Sequence, residues 1–382
     1  MKAAVLDIGS NSVLLLVAER TADSWRILTD QAAITRLGEG FDPDRKLKPK
    51  AVQRTLRVIE EYLLQVRQKG VDKFAAVATA VVRRATNPEA LLQPLQAMGC
   101  PVRVLSEREE AELSFLAVAL DPAMLAPPPN DAHTLEEEEE IAHSTHEPQP
   151  QTNGEIYLGR LLEKECVPFS RTRHSTNGGH TSELIGEAPS AWLVIDIGGG
   201  SVEFAYGPPS RDTARLRWRS LPVGAMSLRE QLAPSNPPDA DEIGAVSQWL
   251  DRQFRFLSLL PPPEQVVTVG GTGVNLALLW RGLHAPEALS LERVHGSRLT
   301  QLMLHKMLRL LLSLSDSERA RLPGVEPARA PILHLGALIL ARALSAVNQS
   351  SVRISTYGLR YGVLWSMAPE SLGRSEPFDP SE

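Results

Sequence analysis

The sequence predicts an α/β protein built from two related domains. Two similar segments occur in the chain, "VLDIGSNSVLLLVAE" from Val5 and "VIDIGGGSVEFAYG" from Val194. Asp7 and Asp196 occupy equivalent positions in them. Segments of strand and helix length alternate through most of the chain, which is typical of α/β folds. A chain of 382 residues also exceeds what one hydrophobic core usually organises. The duplication therefore predicts that the two domains are structural relatives.

Each copy predicts a β-hairpin with a tight, polar tip. An Asp ends an apolar strand, small residues form the turn, and a second apolar or alternating strand follows. The backbone N–H groups of such a turn converge on one point and leave room for an oxyanion such as phosphate. Asp7 and Asp196 would repel that anion unless a divalent cation or a water lay between them. The alternative is that each Asp caps its own turn.

The first half of the chain supplies a further candidate phosphate contact. Apolar residues at helical spacing predict an amphipathic helix from Ala51 to Gly70, and the apolar run that begins at Phe74 predicts a buried strand. Thr79 and Arg83 follow this strand, at the end where ligands of α/β folds usually bind. Arg83 is suited to bidentate contact with phosphate oxygens. The alternative is an ordinary surface arginine.

The segment "SEREEAEL" predicts a helix that offers a carboxylate for chemistry. Ser106 and Glu109 have the spacing of a capping box, so Glu109 has a structural role at the start of the helix. Glu110 has no such role, and we expect the charges of Glu107 and Glu109 to raise its pKa. Beside a bound phosphate, Glu110 is a candidate general base for water. The alternative is an acid placed there only for the helix dipole.

Residues 121–189 differ in composition from the rest of the chain. They include "APPPND" and five consecutive glutamates from Glu136 to Glu140, with few large apolar residues. We predict a mostly disordered insertion. It holds thirteen acidic and four basic residues, so that of the formal net charge of −6 the remaining chain carries +3. A mildly basic body suits a polyanionic substrate.

The second half repeats the order of strand, turn and helix. We predict strands in "RLRWRSLPVGA" and "QVVTVGG", and helices around Asp239 to Leu260, Val274 to Leu283, Leu299 to Leu314 and Pro331 to Val347. At the junction of the second strand and its helix, Gly270, Gly271 and Thr272 would place free N–H groups and the positive end of the helix dipole at one turn. The alternative is a plain connection between strand and helix.

Composition argues against several classes of protein. Cys100 and Cys166 are too few for a disulfide framework and show no metal-ligand spacing. Asp7 interrupts the first apolar run, which argues against an export signal. The most apolar later stretch, Ile332 to Val347, is too short to span a bilayer. We therefore expect a cytoplasmic protein without a membrane segment and without a nucleic-acid partner.

Eight short segments together resemble one protein family. They occur in the family's order and span residues 1–120 and 190–367. The segments are "DIGSNS", "TAVVRRATN", "EREEAELSF", "VIDIGGGSVE", "LPVGAMSL", "VGGTGVNLA", "PARAPILHLGALIL" and "GLRYGVL". The chain is similar in this way to the exopolyphosphatase/guanosine pentaphosphate phosphohydrolase (Ppx/GppA) family, in its short two-domain form, within the actin/sugar-kinase/Hsp70 superfamily.

The resemblance implies a fold and an activity. The fold is α/β, with two RNase H-like (actin-like ATPase) domains, 1–120 and 190–345, flanking a cleft. Residues 346–382 would return toward the first domain and end in a polar tail. The activity is removal of terminal phosphate from polyphosphate or guanosine pentaphosphate, with Mg²⁺ as the cofactor or Mn²⁺ as the alternative. A homodimer is compatible with this expectation.

The resemblance also implies roles for individual residues. Glu110 matches the catalytic base, and Asp196 and Glu203 match carboxylates that bind the metal or orient water. The implied phosphate contacts are Asp7, Gly9, Ser10, Asn11, Ser12, Thr79, Arg83, Gly198, Gly199, Gly200, Ser201, Gly270, Gly271 and Thr272.

Three positions depart from the residues usual in the family. Glu107 replaces a small residue, Val202 replaces Thr or Ser, and Tyr361 replaces an acid. Two alternatives therefore stay open beside hydrolysis. One is an ATP-dependent kinase or ATPase of the same superfamily, and the other is a sensor of polyphosphate or guanosine pentaphosphate with little turnover. The intact carboxylates argue against the sensor.

Overall fold

Two β-sheets with helices packed on them form the described part of the chain. The computed structural model describes residues 1–22, 24–41, 44–126, 190–233, 235–283 and 288–367. Of the predicted insertion, residues 127–189 lie outside the described residues. Its first residues are described, and Pro122–Leu125 form a short helix.

The first sheet contains five strands in the order β3-β2-β1-β4-β5. The strands are β1 (Lys2–Ile8), β2 (Ser12–Arg20), β3 (Trp25–Ile34), β4 (Lys73–Ala78) and β5 (Val102–Val104). β1, β2 and β3 are antiparallel neighbours, whereas β4 runs parallel to β1 and β5 runs parallel to β4.

The second sheet repeats this arrangement and adds one strand. Its order is β10-β11-β9-β6-β7-β8. β6 and β7 form the second hairpin, with Asp196 paired to Glu203, and β9 and β11 continue the sheet in parallel. The strands are β6 (Trp192–Ile197), β7 (Val202–Gly207), β8 (Arg217–Leu221), β9 (Gln265–Val269), β10 (Arg298–Thr300) and β11 (Ser351–Ile354). The predicted pair of RNase H-like domains is confirmed.

Helices cover these sheets. They are α1 (Pro49–Gln68), α2 (Ala80–Arg84), α3 (Glu89–Ala97), α4 (Glu107–Ala119), α5 (Pro122–Leu125), α6 (Ala225–Gln231), α7 (Ala240–Gln253), α8 (Gly271–Trp280), α9 (Ala288–Val294), α10 (Gln301–Ser313), α11 (Asp316–Arg319), α12 (Ala330–Ala346) and α13 (Leu359–Ser366), with a 3-10 helix at Phe254–Leu259. Within the described residues, none of these helices has the length and apolar character needed to cross a membrane.

Two helices differ from the sequence prediction by three residues or more at one end or both. The helix expected from Val274 begins at Gly271, so the glycine-rich turn is its first turn. The helix expected to reach Leu260 ends at Gln253 and continues as the 3-10 helix. The start of α4 follows the prediction, because Ser106 and Glu109 form the capping box.

α4 and α13 each follow one sheet and pack on the other. α4 follows β5 of the first sheet, yet Ala111 and Phe115 pack with Val194 of the second sheet. α13 follows β11 of the second sheet, and its Leu364 packs with Val5 of the first. The two sheets are therefore joined by two chain connections and by two buried apolar interfaces.

α4 and α13 also touch each other at a glycine. A Cβ atom on Gly362 would lie 2.0 Å from the carbonyl oxygen of Leu113, a separation that atoms cannot adopt. Gly362 is therefore required for the close approach of the two helix backbones.

We predict that Gly362→Ala lowers the free energy of unfolding by about 1–3 kcal/mol, because the added methyl must push the helices apart. Gly244→Ala is the matched control. Gly244 also lies inside a helix, but a Cβ there has no atom within 4 Å. This change should raise stability by about 0.5–1 kcal/mol through helix propensity. Urea unfolding of both variants measures the difference, and effects of the same sign would contradict the close approach.

Candidate active site

A cavity of about 430 Å³ between the two sheets brings most of the predicted site residues together. Both hairpin tips, the end of β4, the first turn of α4 and the first turn of α8 contribute to its wall. The predicted residues that line it are Asp7, Gly9, Ser10, Asn11, Ser12, Thr79, Glu110, Asp196, Gly198, Gly199, Ser201, Glu203, Gly270, Gly271 and Thr272.

The two hairpin tips lie against each other. A Cβ atom on Gly200 would lie 2.9 Å from Ser10 Oγ, and one on Gly199 would lie 3.2 Å from Asn11 Cβ. Small residues are required at both positions because the tips meet there. Gly200 is absent from the lining of the large cavity and instead lines a smaller neighbouring one together with Ser10 and Arg84.

The turns leave backbone donors available. One hydrogen bond closes each turn, from Gly9 N to Ser12 O at 2.9 Å and from Gly198 N to Ser201 O at 3.0 Å. Among the described residues, the amides at positions 10–11 and 199–200 find no protein acceptor. Free N–H groups on two facing tips are the donors that an oxyanion requires.

The N-terminus of α6 fixes the second tip. Ala225 N donates to Gly198 O at 3.1 Å, and Met226 N donates to Gly199 O at 2.9 Å. The backbones are so close that a Cβ atom on Gly224 would lie 2.4 Å from Gly198 O. The segment "LPVGAMSL" thus holds the tip by its carbonyl groups.

The turn between β9 and α8 places a cation at the cavity wall. Gly270 has a φ of 84°, which favours glycine, and it lets the chain turn directly into α8. A Cβ atom on Gly271 would lie 2.2 Å from Arg329 Cζ, so the guanidinium packs on the backbone of this turn. Arg329 Nε donates to Glu326 Oε2 at 2.7 Å.

Four carboxylates lie buried in or beside the cavity. Burial raises the pKa of Asp7 to about 7, with the charge of Asp196 adding to the effect. It likewise raises the pKa of Glu110 to about 7, although the guanidinium of Arg83 opposes the shift. Burial also raises the pKa of Asp196 and, more strongly, that of Glu203. So many acids in one buried place need protons or cations to be stable.

The cause of the raised pKa at Glu110 differs from the prediction. Desolvation is the main cause, and the charges that add to it are those of Asp196 and Asp7 rather than those of Glu107 and Glu109. Glu109 is engaged elsewhere, because it accepts a hydrogen bond from Ser106 and pairs with Arg103. Packing of α4 on the second sheet, which removes Glu110 from water, accounts for the shift.

Arg83 contacts the candidate base. Its Nη1 donates to Glu110 Oε2 at 2.9 Å and to Leu105 O at 2.7 Å. Its side chain is 19% exposed, so the alternative of an ordinary surface arginine is wrong. Arg83 is absent from the cavity lining and reaches the cavity through Glu110. Its predicted contact with phosphate stays a prediction.

Hydroxyl groups donate hydrogen bonds to the two buried carboxylates of the second sheet, Asp196 and Glu203. Ser114 Oγ donates to Asp196 Oδ2 at 2.9 Å, and Ser220 Oγ donates to Glu203 Oε1 at 2.9 Å. Each bond favours the ionised carboxylate and partly opposes the effect of burial.

Arg360 adds a second cation to the cavity. It forms two hydrogen bonds with Asp30, at 2.8 and 2.7 Å, and Tyr361 Oη donates to the same carboxylate at 2.8 Å. The charge of Arg360 partly offsets the burial that raises the pKa of Asp7. Tyr361 therefore supplies a donor where an acid would place a second negative charge beside Asp30. Val202, another of the three departures, is buried in the core of the second sheet.

Several lining residues were outside the sequence prediction. Those with charged or amide side chains are Asp30, Gln31, Asn275, Glu326, Arg329 and Arg360. Arg329 and Arg360 stand within two of the eight family-like segments, which is a usable signal. Asp30 lies outside all of them, and only the pairing of β3 with β2 brings it to the cavity.

Together these groups suit transfer of a phosphoryl group to water. Free amides offer donors for phosphate oxygens, and a carboxylate with a pKa near 7 can accept a proton at neutral pH. Both site arginines are neutralised by acids, Arg329 by Glu326 and Arg360 by Asp30.

Comparison with known proteins finds relatives that match nearly the whole chain. A chain of Mycobacterium tuberculosis named exopolyphosphatase 1 is 25% identical over 370 residues, which cover 95% of this chain and 87% of the relative. A second chain of that organism, exopolyphosphatase 2, is 23% identical and is covered to 98%.

Solved structures show the same architecture. The Ppx/GppA family member of Aquifex aeolicus is 25% identical, with a TM-score of 0.66 over 96% of this chain and 97% of that one. An exopolyphosphatase of Cytophaga hutchinsonii, 20% identical, shares the fold with a TM-score of 0.72 over 96% and 97% of the two chains. The model of the Ppx/GppA phosphatase family matches residues 16–122 and 179–371, and the chain belongs to that family.

Proposed function

We propose that this protein is an exopolyphosphatase, which removes the terminal phosphate of inorganic polyphosphate by attack of water. The observation that carries the proposal is the meeting of two amide-rich hairpin tips beside the buried Glu110 in one cavity. Relatives named exopolyphosphatase support polyphosphate as the substrate.

Different residues of the chain bind the phosphate, accept the proton and position the base. The free amides at 10–11 and 199–200 bind the oxygens of the terminal phosphate and stabilise the charge that develops there. Glu110 takes the proton from the attacking water, and its raised pKa suits a base that works near neutral pH. Arg83 holds Glu110 in place through the bond at 2.9 Å.

Mg²⁺ is the proposed cofactor, and Asp196 and Glu203 are the residues that would hold it. Among the described residues, no three acid, histidine or cysteine side chains are grouped closely enough to hold an ion by themselves. This fits Mg²⁺, which proteins commonly bind through one or two carboxylates with substrate phosphates completing the shell. When bound, the ion neutralises charge on the phosphate chain and on the leaving group.

Charge balance in the cavity supports the need for a divalent cation. Asp7, Glu110, Asp196 and Glu203 are buried there, and both lining arginines already pair with acids. A polyanion therefore meets no excess of positive side-chain charge. It must bring its own cations, and a magnesium complex of polyphosphate meets this requirement.

Guanosine pentaphosphate is proposed as a second substrate. It presents the same terminal phosphoanhydride as polyphosphate. The cavity also includes apolar side chains, Leu14, Tyr62 and Ile332, which could contact a nucleoside.

We expect phosphate release from polyphosphate and guanosine pentaphosphate, lost when EDTA removes divalent cations and restored by added Mg²⁺. ATP should be a poor substrate, because the proposed activity is hydrolysis of polyphosphate and not of ATP. A colorimetric phosphate assay on the three substrates, with and without Mg²⁺, tests this. Release from ATP alone would contradict the proposal.

Glu110→Gln should lower kcat by about 10²–10⁴-fold, because a general base is lost, while KM for polyphosphate stays nearly unchanged. Glu112→Gln is the matched control on the same helix. Glu112 pairs with Arg108 outside the cavity lining, so its change should leave kcat unaltered. Normal phosphate release by Glu110→Gln would refute the assignment of the base.

Stability should depend on pH in a defined direction. Asp7 and Glu110 have pKa values raised to about 7 in the folded state. A group with a raised folded pKa contributes stability that is present below its unfolded pKa, near 4, and is lost as pH rises through 7. In EDTA, the melting temperature should therefore fall between pH 5 and pH 8.

The same measurement has an internal control. Asp7→Asn removes one titrating group and should reduce the change in unfolding free energy between pH 5 and pH 8 by about 2–3 kcal/mol. Differential scanning fluorimetry at several pH values reads the trend, and chemical unfolding at pH 5 and 8 gives its size. A stability that rises with pH over this range, or a slope unchanged in the variant, would contradict burial as the cause.

A further inference from the structure

We propose that Ser114 is a positioning residue for hydrolysis. Its hydroxyl orients the carboxylate of Asp196 and ties it to the helix that carries Glu110. The proposal rests on the proposed function, because it assigns Ser114 a part in the same reaction.

Ser114 and Glu110 share one face of α4. They stand four residues apart, which places both side chains on the same side of a helix. Both are buried, with Glu110 5% and Ser114 1% exposed. Glu110 lines the cavity, and Ser114 reaches Asp196 one turn further along the helix. One helix face therefore provides the candidate base and holds a carboxylate of the other sheet.

Three other hydroxyl residues inside helices of this protein behave differently. Thr55, Ser247 and Ser345 each donate to the carbonyl oxygen four residues earlier in their own helix, at 2.8, 2.7 and 2.9 Å. This is the usual bond of a serine or threonine within a helix. A hydroxyl can donate one hydrogen bond, and Ser114 donates its hydrogen bond to Asp196, 82 residues away in the chain.

The hydrogen bond from Ser114 fixes the orientation of the Asp196 carboxylate, so that its two oxygens have different surroundings. Oδ2 accepts from Ser114 at 2.9 Å. Oδ1 faces the turn between β9 and α8, since a Cβ atom on Gly270 would lie 3.1 Å from it. Rotation about the last torsion of an aspartate is soft, so the carboxylate needs a fixed partner to hold one orientation. Ser114 is that partner, and it leaves Oδ1 directed toward a wall of the cavity.

The link also crosses between the sheets. Asp196 is the last residue but one of β6 in the second sheet, whereas α4 follows the last strand of the first sheet. A serine at 114 therefore fixes the distance between the base and the second-sheet carboxylate. Loss of the hydroxyl should affect the transition state, which needs both groups in place, more than the initial binding of the phosphate chain.

Ser114→Ala tests the proposal. Alanine favours helix, so α4 should form normally, and circular dichroism confirms this. We expect kcat for polyphosphate to fall by about 10–100-fold, the usual effect of removing a group that orients a functional carboxylate, with KM nearly unchanged. Ser114→Cys keeps the size but is a poor hydrogen-bond donor, so its kcat should stay low as well.

Ser247→Ala is the matched control, because it removes a helical hydroxyl that bonds only to its own helix. Its kcat should equal that of the parent chain. Parental kcat in Ser114→Ala, or full recovery in Ser114→Cys, would overturn the positioning role while the exopolyphosphatase function stands. If the parent chain releases no phosphate, the proposed function fails and the role of Ser114 fails with it.

Discussion

The burial of four carboxylates in one cavity is the constraint on which the rest of the site depends. Removing an acid from water is unfavourable for its charged form, and neighbouring acids add to the cost. The pKa values of Asp7 and Glu110, both raised to about 7, express this conflict. Arg83, Arg360 and the hydroxyls of Ser114 and Ser220 relieve part of it. The negative charge that remains favours the proposed binding of a divalent cation together with the phosphate chain.

The fold creates this constraint through the exchange of helices between the sheets. α4 follows the first sheet but is buried against the second, which takes Glu110 out of water and places it in the same cavity as Asp196. α13 follows the second sheet and brings Arg360 to Asp30 of the first. The backbone contact at Gly362 sets how closely these two helices approach. The geometry of the candidate site and the joining of the two domains therefore depend on the same two helices.

Sequence analysis predicts much of the fold because the duplicated hairpin is a strong local pattern. The tips, the capping box at Ser106 and the turn at Gly270 all follow from short-range chemistry. The packing of α4 does not, because apolar residues at helical spacing show that a face is buried without showing against which sheet. The cause of the raised pKa at Glu110 was missed for this reason. Asp30 was missed because only strand pairing brings it to Arg360.

A crystal structure of Glu110→Gln with Mg²⁺ and tripolyphosphate is the most direct test of the central claim. The account predicts a terminal phosphate between the two hairpin tips, with its oxygens within hydrogen-bond distance of the amides at 10–11 and 199–200 and with residue 110 beside the phosphorus. A phosphate chain bound away from the tips, or a terminal phosphate out of reach of residue 110, would contradict it.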